Sequence, residues 1–368
     1  MKDRQTDSFM KRPGILTRYF TPPGWLALVI ALAIPAPASA EWRTKKINDL
    51  TYVPLADFAA AFAMTKGNRR KGAREFAFAG ESHRLAVKTE TREVIIDGVR
   101  HWLAFPIVTS GGAPFVSLAD INATLGPALS PGSVRAIKPV KTVVFDPGHG
   151  GHDRGGRSPY GDEKDYALDV VKRARAILEG KGIKVVQSRL SDSFVELAER
   201  PRMNKNYPSP LFVSVHFNSA GWKPSATGIE VYALPPAGLP ITGKDPDPIL
   251  DRRKDKGNAI EPASFVLANI MHHTLLGKMP GSFDRGVKRA RYAVLRYSDV
   301  PSILIEGGFV TNAEEAKRIH SPEWRQNYAA AVAEGILSAA TGVGRPAQPA
   351  PWRDRTSRPI SSSALKKS

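Results

Sequence analysis

At 368 residues, with 53 Lys and Arg against 35 Asp and Glu, the chain is long enough for two domains with separate cores. It has no cysteine, which excludes a disulfide framework, a thiol nucleophile and thiolate metal ligands, so any metal must be held by His and carboxylate. A formal charge of +18 favours polyanionic partners, whether nucleic acid, anionic lipid or anionic cell-wall polymer.

The first forty residues narrow that choice. Lys2, Arg4, Lys11, Arg12 and Arg18 precede an apolar run from Trp25 to Ile34, and Ala38-Ser39-Ala40 follows. Basic, apolar and small residues in that order read as a secretory signal peptide over 1–40, cleaved after Ala40. The apolar run is too short to span a bilayer, so no transmembrane helix is expected in the mature chain. Export to a periplasmic or extracellular, wall-associated location argues against a nucleic-acid partner, and the aromatic-basic signature of an RNA binder is missing.

Residues 41–134 read as a small α+β accessory domain. Tyr52-Val53-Pro54-Leu55-Ala56-Asp57-Phe58 returns as Phe115-Val116-Ser117-Leu118-Ala119-Asp120-Ile121. Each copy predicts a short strand with an Asp placed to cap a helix. Alternation over Arg84–Val87 and over Glu93–Ile96 predicts two strands, and Asp97-Gly98 a hairpin turn. His83 and His101 stand alone and read as structural. On its two V-x-L-x-D segments and its I-D-G turn, this stretch resembles the small amino-terminal domain of copper amine oxidases. As an accessory domain of an exported chain it is a candidate for wall or partner binding, between which the sequence does not decide.

A linker with Pro, Gly and Ser runs from Pro131 to Pro139. Beyond it, over 140–342, strands alternate with helices, which predicts an α/β domain with a mostly parallel or mixed sheet flanked by helices. The strands expected are Thr142–Phe145, Lys184–Val186, Leu211–Val215, Ile229–Tyr232, Ala293–Leu295 and Ser302–Ile305. Helical spacing covers 167–178, 261–276 and 323–339. Pro235 to Asn258 shows neither period and reads as a long exposed loop, a lid or partner loop. Residues 343–368 read as a basic disordered tail.

Chemistry enters at four segments. His149 lies just past the strand Thr142–Phe145 in Asp146-Pro147-Gly148-His149-Gly150-Gly151, His216 ends the strand Leu211–Val215, and Glu306 ends the strand Ser302–Ile305. Strand carboxyl ends are where open α/β sheets hold ligands. Glu163 follows Asp162, which reads as a helix N-cap, and would project from the first turn. Singly, each residue has an ordinary structural explanation: a turn, a strand end, a helix-dipole partner. Together, two histidines and two acids are the parts of a hydrolytic zinc site. His152 reads as a neighbour at its rim, and His272 and His273, on an amphipathic helix, as structural or surface residues.

In order and spacing these segments resemble the zinc-dependent N-acetylmuramoyl-L-alanine amidases of the amidase 3 family. The D-x-G-H-G-G-x-D-x-G run is matched by Asp146 to Gly155, the helix-opening Glu by Glu163, R-x3-N by Arg200 and Asn204, and S-x-H-x-N by Ser214, His216 and Asn218. Asp284-Arg285-Gly286-Val287-Lys288, Val294-Leu295-Arg296 and Pro301 to Phe309 complete the pattern. The resemblance implies that His149, Glu163 and His216 hold one Zn²⁺ and that Glu306 is the catalytic carboxylate. Asn218, Arg200 and Arg296 would touch substrate or support the ligands. It implies peptidoglycan as substrate, cut between N-acetylmuramic acid and L-alanine in wall remodelling or daughter-cell separation, and it leaves room for a protein activator. The same chemistry would also serve the alternative, a zinc carboxypeptidase or peptidase acting on wall peptides. If the basic surface holds the chain near anionic envelope polymers, sacculus binding in a pull-down should fall steeply as salt is raised from low to physiological strength.

Overall fold

The computed structural model describes residues 42–67, 74–134, 139–221 and 224–340. The signal-peptide and basic-tail expectations, and the middle of the linker, lie outside those residues. Among the described residues no helix is long and apolar enough to cross a membrane.

The repeated segments of the amino-terminal half pair with each other. Leu50–Pro54 lies antiparallel to Ala113–Ser117, with Tyr52 opposite Ser117 and Pro54 opposite Phe115. A helix follows each strand, Leu55–Ala61 and Leu118–Asp120. The Asp residues do not cap these helices as expected. Ser117 is the N-cap of the second, its hydroxyl accepting from Asp120 N, while the first has no side-chain cap. Asp120 turns inward to accept from Ala104 N and Phe105 N. A two-residue turn at Asp97-Gly98, both at positive φ, joins Glu93–Ile96 to Val99–Trp102 as the sequence predicts.

A second sheet runs through both halves of the chain. Its order is Lys184–Gln187, Thr142–Pro147, Pro210–Asn218, Ser302–Phe309, Ile229–Ala233, Asp284–Arg289, Val99–Trp102, Glu93–Ile96, Arg84–Lys88, Glu75–Ala79 and Thr65–Lys66. The first four strands are parallel, and Ile229–Ala233 is antiparallel to Ser302–Phe309. This is a mixed sheet flanked by helices. Strands such as Thr142–Pro147 and Ser302–Phe309 are buried along their whole length, because both faces are covered. One face packs under the helices Glu163–Glu179, Glu261–Lys278 and Pro322–Ala340. The other carries the smaller cluster of Val144, Phe212, Leu234, Leu295 and Leu304.

Two local readings change. Ala293–Arg296 is a helical turn, not a strand, and Val294 and Leu295 plug the smaller cluster. Three apolar residues carry no usable period, so packing decides their conformation. Asp284–Arg289 is a strand, disguised by its charges; it lies between Ile229–Ala233 and Val99–Trp102, pairing Val287 with His101. The helix Glu261–Lys278 is buried on nearly every side, so His272 and His273 are core residues. His272 Nε2 donates to Asp284 Oδ1 at 2.7 Å, and His101 Nε2 meets Asn269 Oδ1 at 2.8 Å.

These buried groups make stability depend on pH. Burial lowers His101 and drives His273 down to about 3, with His101 and His272 adding repulsion. The unfolded chain therefore binds protons that the folded chain refuses, and stability falls as pH drops below about 6.5, for His273 down to about 3. Burial raises Asp120 to about 6, which acts oppositely: its contribution is fullest below its unfolded pKa of about 3.9 and is lost as pH rises through 6. With excess chelator present throughout, chemical denaturation at pH 7.5 and pH 5 should show His273→Leu losing less stability in acid than the parent chain, by about 1 kcal/mol or more.

Candidate active site

Side chains alternate along a strand, so Phe212, Ser214 and His216 share one face, as do Leu304 and Glu306. That is the face of the smaller cluster, opposite the long helices. His216 and Glu306 are paired in register across adjacent parallel strands, and Glu306 is paired with Glu230 on its other side. His149 comes from the turn after Thr142–Pro147, in a left-handed conformation at φ 59°. Glu163 opens the helix Glu163–Glu179, with Asp162 at its N-cap position. The carboxylate of Asp162 does not cap, however; it pairs with Arg154 Nε and Nη2.

The structure brings His149, Glu163 and His216 together, with one ligand atom from each inside a 4.8 Å cluster. His149 Nε2 and His216 Nδ1 both lie 3.0 Å from Glu163 Oε1. The other oxygen of Glu163 accepts from Gly156 N at 2.7 Å, and Oε1 also accepts from Phe217 N. His149 Nδ1 donates to Asp153 Oδ2 at 2.8 Å, since a carboxylate can only accept. In a neutral His149, Nε2 then points a lone pair at an anionic oxygen. Burial pushes Glu163 up, but the two imidazoles outweigh it and hold the carboxyl well below its ordinary range. Burial likewise lowers His149, yet Glu163 and Asp153 hold it above its usual value. Two imidazole nitrogens and one carboxylate oxygen converging on one point are the donor set of a catalytic zinc site. The residues fit the ion.

The turn that carries His149 is tightly clamped. Buried Arg189 donates to the carbonyls of Pro147, Gly148 and Lys164. Arg200, 1% exposed, binds Asp146 Oδ1 at 3.0 Å and the His149 carbonyl at 3.2 Å. Arg200 thus supports a ligand and is shut off from solvent. A Cβ at Gly148 would lie 2.3 Å from the His216 ring, so only glycine admits that imidazole.

Glu306 is buried with Oε2 lacking a hydrogen-bond partner among the described residues. Burial, with Glu163 and Glu230 adding repulsion, raises its carboxyl well above the ordinary range. Glu230 is the opposite case. It accepts from Asn218 Nδ2 at 2.7 Å, Tyr232 Oη at 2.9 Å, Arg285 Nε at 2.7 Å and Lys288 Nζ. Burial opposes its ionisation, but Lys288 and Arg285 hold its pKa at about 2. Asn218 therefore touches Glu230, while Arg296 pairs with Asp255 at the base of the 235–258 loop. That loop is tied down, Asp251 to Arg291 and Asp245 to Arg92. His152 stacks on Phe194, with ring centroids 4.3 Å apart, outside the ligand cluster. Sequence reasoning missed Asp153, Arg189 and Glu230. Asp153 was visible as the acid of the glycine-rich run, whereas Glu230 looked like any polar residue on a strand.

Residues 143–338 match the model of the family described as N-acetylmuramoyl-L-alanine amidase, just over half of the chain. The chain belongs to this family. It is 29% identical over 252 residues to the N-acetylmuramoyl-L-alanine amidase LytC of Bacillus subtilis, covering 68% of this chain but only 43% of that relative's length. With AmiA of Escherichia coli it shares 31% identity over 219 residues, 54% of this chain and 75% of the relative. A solved structure, the amidase AmiC2 of Nostoc punctiforme, is 37% identical over 53% of this chain and 94% of its own, with a TM-score of 0.44.

Removing the acceptor that orients His149 should loosen the metal. Asp153→Ala should keep its circular dichroism spectrum while its zinc affinity, measured by competition with a chromogenic chelator, falls about 10- to 100-fold.

Proposed function

We propose that this chain is a zinc-dependent amidase that cuts the bond between N-acetylmuramic acid and the L-alanine of the stem peptide in peptidoglycan. Family membership supports the reaction class. The observation that carries the mechanism is the register: a buried, unpartnered Glu306 carboxyl directly beside His216, itself one of three converging ligands.

His149, Glu163 and His216 would hold the ion. Zinc in that position polarises a carbonyl and lowers the pKa of water to roughly 7. Glu306 does the proton work. Its carboxylate takes a proton from the attacking water and returns it to the departing alanine amine. A carboxyl raised by burial is a stronger base than an ordinary carboxylate, so it takes the water's proton more readily and still holds it for the departing amine near neutral pH. Asp153 fixes the His149 tautomer, and Arg189 and Arg200 hold the turn against the strand end. Glu230, ionised beside Glu306, disfavours a second negative charge there.

Export through the 1–40 signal peptide, with action in the periplasm or outside the cell, completes the reading. Association with anionic envelope polymers is supported by the charge of +15 that remains once residues 1–40, with five basic and two acidic residues, are removed (18 − 3). The tied-down 235–258 loop flanks the helical turn that bears Arg296, on the active-site face, which suits a substrate wall or partner surface.

Mature protein incubated with peptidoglycan should release intact stem peptides with a free alanine amino terminus, identified by mass spectrometry. A carboxypeptidase would instead release single terminal amino acids. Chelator should abolish the release and added zinc restore it, and Glu306→Gln should lower kcat by about 10²- to 10⁴-fold. Chelator-resistant release would refute the zinc mechanism.

A further inference from the structure

We propose that Arg285 forms a subsite for a carboxylate of the stem peptide beside Glu306, and that Trp102, from the amino-terminal half, holds Arg285 in place. This deepens the amidase reading and rests on it.

Arg285 is fixed on three sides and open on the fourth. Its Nε donates to Glu230 Oε2 at 2.7 Å, its Cζ lies over the Phe309 ring at 4.8 Å from the centroid, and Nη1 reaches the Thr227 carbonyl at 3.4 Å. Nη2 has no hydrogen bond to a described residue, and the side chain remains 28% exposed. A planar guanidinium held over a ring and by two hydrogen bonds loses little entropy when its free edge meets a planar anion.

The position is also that of the reaction. Glu230, which anchors Arg285, is the register partner of Glu306. Asn218, which shares Glu230 with Arg285, lies two residues beyond His216 on the same strand, and Phe309 lies three beyond Glu306. Glu230 is bound by two cations, Arg285 and Lys288, where one would neutralise it. Glu230 divides its single negative charge between the two, so the free edge of Arg285 still offers donors to an anion beside Glu306. In the substrate class proposed here, the groups able to answer it are carboxylates of the peptide, because the sugar rings are neutral.

Trp102 sets the backbone from which Arg285 projects. Its Nε1 donates to the Arg285 carbonyl at 2.8 Å. The indole also lies so close to Gly286 that a Cβ there would be 2.9 Å from the ring, and Gly286 is at φ +93°. Arg100 N donates to Asp284 Oδ2 at 2.8 Å on the other side of Arg285. The strand Val99–Trp102 thus pins Asp284 and Arg285 in succession. The amino-terminal half is thereby built into the substrate cleft rather than merely tethered to it.

The test uses zinc-loaded full-length mature protein and paired muropeptides whose residue after the stem alanine carries either a free α-carboxylate or its amide. Wild type should favour the free acid by about tenfold or more in kcat/KM, mostly through KM. Arg285→Ala should bring that ratio close to one, Arg285→Lys should restore part of it, and Trp102→Phe should lower it with little change for the amide. Turnover of the amidated substrate reports that each variant is folded and active. A wild-type ratio near one, or a ratio that survives Arg285→Ala, overturns the subsite. A ratio unchanged by Trp102→Phe overturns the positioning role. Failure of wild type to cut either muropeptide would instead overturn the amidase reading.

Discussion

A buried carboxylate that must stay ionised organises this site. Glu163 sits at the first turn of a long helix, accepts two backbone N–H groups and faces two imidazoles. Such a charge is costly to bury without compensation. Because its partners come from a turn, a strand end and a helix start, the clamps on those elements serve the same end. Arg189 and Arg200 spend their guanidinium groups on main-chain carbonyls of the His149 turn, which leaves His149 no freedom to swing away from Glu163.

Beside this anionic pocket the sheet sets two acids in contrasting states. Glu306 and Glu230 are register neighbours on the same face, yet Glu230 collects four donors while Glu306 has an oxygen without one. The difference in their surroundings, not in their chemistry, separates their pKa values. Glu230 in turn ties the reacting centre to Arg285 and Lys288, on a strand that the amino-terminal half completes. One continuous sheet therefore connects Trp102 with the strands that carry His216 and Glu306.

Much of this was legible from residue order. The strands that carry His149, His216 and Glu306 are apolar runs with clear boundaries, and a sheet buried on both faces needs such runs. Their carboxyl-end placement pointed to one shared crevice. The charged strand Asp284–Arg289 was hidden because its pairing partners satisfy it, and the turn Ala293–Arg296 because three apolar residues fit either period. Capping was misplaced at Asp57, Asp120 and Asp162 for a related reason. An acid near a helix start has several acceptable partners, and here the neighbouring Arg43 and Arg154 and the backbone of Ala104 and Phe105 took them.

By itself the sequence determined the alternating α/β pattern, the cysteine-free ligand chemistry and the order in which His149, Glu163, His216 and Glu306 arrive. These follow from local periodicity and residue type, which do not need a partner to be read. Only the tertiary structure decided that Glu163 is shared by both histidines, that Glu230 rather than any sequence neighbour stands against Glu306, and that Trp102 supports Arg285. Those relations join residues from about a dozen to nearly two hundred positions apart, and the packing of helix and strands, with a strand register that no single segment encodes, is what brings them together.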